Sequence, residues 1–197
     1  MKIDFEKDGG LVPAIVQDAK TEQVLMLGYM NEASLAKTRE TGLVTFFSRS
    51  RQTLWTKGEN SGNTLKLKSI TIDCDDDTVL IRAVPTGPTC HEGTVSCFGD
   101  KGPEGLGFIG YLEDLIESRK TSDADSSYTA SLLHGPLRRA AQKVGEEGVE
   151  TALAAVAETD DKLSSEAADL IYHLLVLLAA KNIKFETVIA ELKSRHK

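Results

Sequence analysis

The chain has 197 residues, 41% hydrophobic and 27% charged, with a formal net charge of −7. That composition is globular, which excludes collagenous, coiled-coil and largely disordered chains, and no uninterrupted apolar run reaches the roughly 18–20 residues that span a bilayer. The acidity is spread over both halves, so neither half resembles a polyanion-binding arm, and neither nucleic acid nor membrane is expected as a partner.

Met1–Asp8 contains no apolar core of a signal peptide, so a cytoplasmic location is expected. Val12–Val16 and Val24–Leu27 are short apolar runs that read as strands, and Asn31 is a suitable N-cap for a helix to Arg39. Leu43–Ser48 is β-branched and aromatic. Leu65–Asp73 alternates almost strictly between apolar and polar residues, and Thr78–Val84 follows as another strand. From Pro85 to Gly107 the chain is rich in glycine and proline and reads as loop. The period then changes to that of a helix. Phe108 to Lys120 forms one amphipathic segment, Thr121–Ser127 a polar loop, and Pro136–Ala157, Ser164–Ala180 and Phe185–Arg195 three further helices. The fold class expected is therefore multidomain α and β, a mainly-β (α+β) domain over 1–107 followed by an all-α helical bundle over 108–197.

Several polar groups interrupt this pattern. Glu146, Glu147 and Glu150 share one helical face, and Glu166 and Asp169 repeat the spacing on the next helix. Solvated acidic faces would look the same. However, Asp169 runs into the apolar segment Leu170–Leu178, and buried carboxylates must be paired or hold metal. With Lys143, Arg138 and Arg139 nearby, the set suits Mg²⁺ and a nucleotide polyphosphate. Asp73, Asp75 and Asp77, if extended, project from one strand face at roughly 6.5 Å intervals with Cys74 on the other, another arrangement for a hard cation. Three cysteines cannot complete a disulfide framework, leaving a metal site or buried thiols. Cys90 and Cys97 flank His91 in the glycine-rich loop. With Cys74 they make three thiolates, the number that a catalytic zinc site takes, and His91 is then a proton-transfer group, a fourth ligand or a surface loop residue. Arg49, Arg51, Trp55, Lys57, Glu59 and Ser61 lie in one segment suited to a phosphoribosyl group, although a basic surface loop would carry similar residues.

Taken together, the motifs resemble those of a known family. Gly28-Tyr29-Met30-Asn31, Phe46–Arg51, Leu54–Glu59, Asp73-Cys74-Asp75, Gly87–His91, Gln142–Glu150 and Asp169–Leu175 resemble, over nearly the whole chain, the bifunctional phosphoribosyl-AMP cyclohydrolase/phosphoribosyl-ATP pyrophosphohydrolase family of histidine biosynthesis. The resemblance implies hydrolysis of phosphoribosyl-ATP to phosphoribosyl-AMP and pyrophosphate by residues 108–197, an all-α, MazG-like domain. Ring opening of phosphoribosyl-AMP at N1–C6 falls to residues 1–107. It further implies Zn²⁺ on Cys90 and Cys97 of one subunit and Cys74 of the partner subunit, hence a homodimer. Mg²⁺ is implied on Asp73, Asp75 and Asp77, and on Glu146, Glu147, Glu150, Glu166 and Asp169. His91 and Glu147 are the implied catalytic residues. Arg49, Arg51, Trp55, Lys57, Glu59, Ser61 and Lys143 are implied to bind the small nucleotide substrates. The chain departs from the family at Asn63-Thr64, where many cyclohydrolases carry a His-x-Gln continuation.

Overall fold

The computed structural model describes residues 3–7, 9–99 and 101–196. Met1, Lys2 and Asp8, on which the N-terminal reading partly rests, lie outside the described residues. The chain divides into two compact units, Met1–Gly110 and Tyr111–Lys197. Strands fill the first and helices the second, as expected from the change of period.

In the first unit β1 (Val12–Asp18), β2 (Val24–Met30), β5 (Leu65–Ile72) and β6 (Val79–Pro85) form a sheet of order β2-β1-β6-β5. β1 and β6 run parallel, while β1–β2 and β5–β6 are antiparallel. Alternation puts Val12, Ala14 and Val16 of β1 and Val79, Ile81 and Ala83 of β6 in the core, where each is fully buried. The apolar residues of β5 fall at 65, 67, 70 and 72, a slip of one position. A register shift between Leu67 and Ser69 absorbs it, so that Ile70 and Ile72 still pack on the core side. α1 (Glu32–Thr41) begins in a capping box, in which the Asn31 side chain accepts from Ser34 N at 2.8 Å and Ser34 Oγ accepts from Asn31 N at 2.9 Å. It ends at Gly42 in the left-handed region, φ 70°.

The segment whose residues suit a phosphoribosyl group starts in a hairpin. β3 (Thr45–Ser48) pairs with β4 (Thr53–Thr56), setting Phe46 opposite Trp55. The second strand went unrecognised because its four residues are too few for a periodic signal. Beyond it, Gly58 adopts φ 84°, and a Cβ there would lie 2.4 Å from the Asn63 carbonyl. Gly58→Ala should therefore lower the stability of the first unit by about 2 kcal/mol or more, combining left-handed strain with a backbone clash. An unchanged first melting transition of the full chain would contradict this.

The aspartate turn also differs from expectation. β5 stops at Ile72, and residues 73–78 turn tightly, with Asp76 at φ 66°. Asp73 Oδ1 accepts from Asp77 N at 3.1 Å and Thr78 N at 3.0 Å, a local bond that competes with the strand ladder. Asp73, Asp75 and Asp77 thus do not line one face of an extended strand.

The helices are α2 (Gly107–Ser118), most of which lies in the second unit, α3 (Tyr128–His134), α4 (Leu137–Ala157), α5 (Asp160–Ala180) and α6 (Phe185–Arg195), and Ile116, Leu132, Ala154, Leu175 and Val176 of the first four are buried. α3 is additional to the expected set. It is short, and its signal is the Ser127 cap, whose side chain accepts from Ala130 N at 3.1 Å. α5 starts at Asp160 rather than Ser164, because Thr159 caps it and Asp160 and Asp161 favour its N-terminal dipole. α4 and α5 form a helical hairpin across Glu158-Thr159. By length and composition α5 could cross a membrane. It carries buried Glu166 and His173 as well as buried Leu175, Val176 and Ala179.

Candidate active sites

The tight turn at the end of β5 brings carboxylate oxygens of Asp73, Asp75 and Asp77 within 4.8 Å of one another. Lys7 enters this cluster. Its Nζ donates to Asp75 Oδ2 at 2.7 Å, to Asp77 Oδ2 at 2.8 Å and to the Asp75 carbonyl at 3.1 Å. The two carboxylates hold the ammonium well above its ordinary pKa, and Lys7 in turn holds Asp75 below the usual carboxylate range. An ammonium so gripped is a monovalent stand-in for a cation, and the oxygen donors are those that a hard divalent ion prefers.

Cys74 is exposed on the same turn, while Cys90 and Cys97 sit in the glycine-rich loop. That loop is stapled to the edge of β2 by Cys97 N donating to Leu25 O at 2.8 Å and Ser96 Oγ donating to Val24 O at 2.8 Å. The two loop thiols interact with each other, and the exposed His91 places Nδ1 3.8 Å from Cys90 Sγ. The Glu92 backbone N–H and the Thr94 hydroxyl lower the Cys90 pKa, whereas burial and the neighbouring Cys90 raise that of Cys97. Lys57 supplies positive charge to both thiols, and burial pushes its own pKa down. Paired thiols beside a cation suit a soft metal. Among the described residues no set of three ligand atoms within 4.8 Å includes a cysteine, so Cys74 does not join the loop pair within one chain.

A cleft of about 410 Å³ lies against β2 and the β3–β4 hairpin, lined by Tyr29, Phe46, Ser48, Arg49, Arg51 and Trp55 among others. The hairpin turn carries both arginines. Arg51 Nε donates to Ser48 Oγ at 3.3 Å, and Trp55 packs against Phe46 with ring centroids 5.5 Å apart. The Arg49 guanidinium lies 3.8 Å above the Tyr29 ring, a cation–π contact that fixes its position. Tyr29 received no role from sequence, since nothing local links it to position 49. Lys57, Glu59 and Ser61 do not line this cleft. Lys57 Nζ donates to Asn63 O at 3.4 Å, Glu59 accepts from Thr56 N at 3.0 Å, and Ser61 Oγ accepts from Asn63 N at 3.3 Å, contacts that order the turn after β4.

In the helical unit, Glu147 and Glu150 of α4 and Glu166 of α5 bring carboxylate oxygens within 4.8 Å; Glu147 and Glu166 are buried and Glu150 is exposed. Partial desolvation, with the charges of Glu147 and Glu166, raises the Glu150 pKa. Lys143 Nζ bonds Glu147 Oε1 at 2.7 Å and Glu146 Oε2 at 2.9 Å, and Lys162 pairs with Glu166. Three mutually repelling carboxylates, two of them buried, suit a divalent cation. Two of the five acids expected here lie outside the group. Glu146 turns to Lys143 and to Gln142 Nε2, which donates at 2.6 Å, and Asp169 is exposed. Conversely His173, absent from the expected set, is buried with Nε2 3.7 Å from Glu147 Oε1. Its only sequence signal is an imidazole within an apolar helical run.

Comparison with known proteins agrees with this division of chemistry. A family model described as phosphoribosyl-AMP cyclohydrolase matches residues 26–99, and one described as phosphoribosyl-ATP pyrophosphohydrolase matches residues 109–196. The chain is 56% identical over 198 residues to the histidine biosynthesis bifunctional protein HisIE of Vibrio parahaemolyticus, covering all of this chain and 94% of that protein. It is 57% identical over 195 residues to the Salmonella typhimurium protein of that name, and 56% identical over 195 residues to that of Escherichia coli. In both cases 99% of this chain and 96% of the relative are covered.

The chain belongs to the bifunctional cyclohydrolase–pyrophosphohydrolase family of histidine biosynthesis. The family resemblance read from the motifs is thus borne out, and with it the two hydrolase activities of the second and third steps of the pathway. Enzymes of this family are metal-dependent and act on small nucleotides, and the two acidic groups described above are places where metal could bind.

Proposed function

We propose that residues 108–197 hydrolyse the α–β phosphoanhydride of phosphoribosyl-ATP and that residues 1–107 then open the N1–C6 bond of phosphoribosyl-AMP, each reaction consuming one water. The observation that carries the first assignment is the convergence of Glu147, Glu150 and Glu166 from two helices. These residues, with Glu146 and Asp169 beside them, would hold Mg²⁺, which when bound offsets the charge of the triphosphate. Glu147 is the central ligand and the catalytic carboxylate of this domain. Lys143, which already bonds two of the acids, exchanges that contact for a phosphate oxygen.

In the first domain, Cys90 and Cys97 with Cys74 of the partner subunit would hold Zn²⁺, and Asp73, Asp75 and Asp77 would hold Mg²⁺ once Lys7 withdraws. When bound, zinc supplies the Lewis acidity that brings the pKa of a water toward about 7. Arg49 and Arg51 bind the phosphates, the Trp55 side of the cleft receives an aromatic or ribosyl surface, and Lys57, Glu59 and Ser61 support the substrate loop. His91 delivers the proton that N1 requires as its bond to C6 breaks.

The protein acts as a cytoplasmic homodimer. In support, a single chain brings together only two of the three cysteines, and α4 exposes Val149, Leu153 and Val156, the last 83% exposed. Three free cysteines suit a reducing compartment.

The test follows phosphoribosyl-ATP through both reactions with and without a zinc chelator. Phosphoribosyl-AMP should accumulate only when zinc is removed, and ring opening at an unchanged rate under chelation would refute the zinc assignment.

A further inference from the structure

His173 lies on α5 seven residues after Glu166 and four after Asp169, spacings that place all three on one side of the helix. It is 5% exposed. Its Nε2 is 3.7 Å from Glu147 Oε1, longer than a direct N–H···O bond of about 2.9 Å. Its Nδ1 is buried with no hydrogen-bond partner. Tyr128 and Tyr172 meet the imidazole edge-on, with ring centroids 5.9 and 5.0 Å away, and Tyr172 is in turn held by a 2.6 Å hydroxyl contact with Thr129. The ring thus meets another ring edge on two sides.

A neutral imidazole has one donor and one acceptor nitrogen. Leaving one of them buried and unpaired costs stability that a phenyl ring in the same space would not. Filling the core therefore does not account for a histidine here. What a phenyl ring could not provide is a polar group directed at Glu147 from α5, opposite the bond that Lys143 makes to the same Oε1 from α4. Carboxylates that ligate metal are oriented by outer partners of this kind.

We infer that His173 is a positioning residue for pyrophosphate release, its Nε2 facing the Glu147 carboxylate and biasing it toward the orientation that completes the three-carboxylate cation site. This rests on reading Glu147, Glu150 and Glu166 as that site.

The test is Mn²⁺ binding to the full-length chain, followed by the resonance signal of the free ion. The Glu147→Gln variant identifies which class of sites belongs to the helices. His173→Phe, which keeps the ring volume, should weaken that class about 10- to 100-fold without lowering the melting temperature. His173→Gln, whose side-chain amide nitrogen can occupy nearly the place of Nε2, should restore most of the affinity. Both variants should leave ring opening of phosphoribosyl-AMP unchanged. Wild-type Mn²⁺ affinity in His173→Phe, with the class lost in Glu147→Gln, overturns the inference alone. Equal weakening in His173→Phe and His173→Gln reduces His173 to a structural role and also overturns it. Retention of every class in Glu147→Gln removes the cation-site reading, and the inference with it.

Discussion

The Glu147→Gln variant should lose pyrophosphate release from phosphoribosyl-ATP by about 10³-fold, equivalent to roughly 4 kcal/mol of transition-state stabilisation, while still opening the ring of phosphoribosyl-AMP. The substitution removes one charge from a trio of which two members are buried, nearly without changing its volume. Lys143 keeps an oxygen acceptor at the amide, so helical content and melting should stay close to those of the parent chain. The size of the effect follows from position. Glu147 is the buried acid that faces Lys143, Glu150, Glu166 and His173 together. Glu146→Gln should have a smaller effect, since Glu146 lies outside the converged group and spends its oxygens on Gln142 and Lys143. Separate assays on the two substrates, phosphoribosyl-ATP and phosphoribosyl-AMP, would expose the split. Equal losses from Glu146→Gln and Glu147→Gln would mean that the acids act as a diffuse charged face rather than a built site.

The second large effect lies in the other domain and runs the opposite way. Cys90→Ala should reduce ring opening by about 10³-fold, leave pyrophosphate release intact, and so convert phosphoribosyl-ATP to phosphoribosyl-AMP and stop there. Cys90 is the thiol whose pKa the Glu92 N–H and the Thr94 hydroxyl lower, which makes it the readier thiolate of the loop pair. Zinc content, measured on the purified protein, should fall together with ring opening. A variant that retained its zinc and its ring-opening rate would show that the thiol is not part of the site. Because the loop is stapled to β2 through backbone and Ser96 contacts, the loss of one sulfur should not unfold it.

Much of the architecture was legible because it is local. A short apolar run at Val12–Val16 and near-alternation at Leu65–Ile72, against a 3.6-residue period after Phe108, separate strands from helices without knowledge of any contact. The misreadings have local causes too. β4 and α3 are too short to carry a period, and α5 starts before its apolar stripe because its capping threonine and first acidic turn precede that stripe. A period-2 pattern that continues into the aspartates predicts an extended strand there. The Asp73 side chain captures two backbone amides and turns the chain instead.

By itself the sequence determined that the chain has a strand-rich part and a helical part, that it carries two unrelated motif sets, and to which family these belong. Periodicity and motif spacing are properties of near neighbours along the chain, so no packing is needed to read them. Tertiary structure alone decided which of the acids converge. Glu147 and Glu150 meet Glu166 while Glu146 and Asp169 stay outside, because the register of two packed helices selects among residues that spacing leaves equivalent. The same holds for Lys7 among the aspartates, Arg49 over Tyr29, and His173 facing Glu147. Each pairs residues many positions apart, whose encounter only the folded chain specifies.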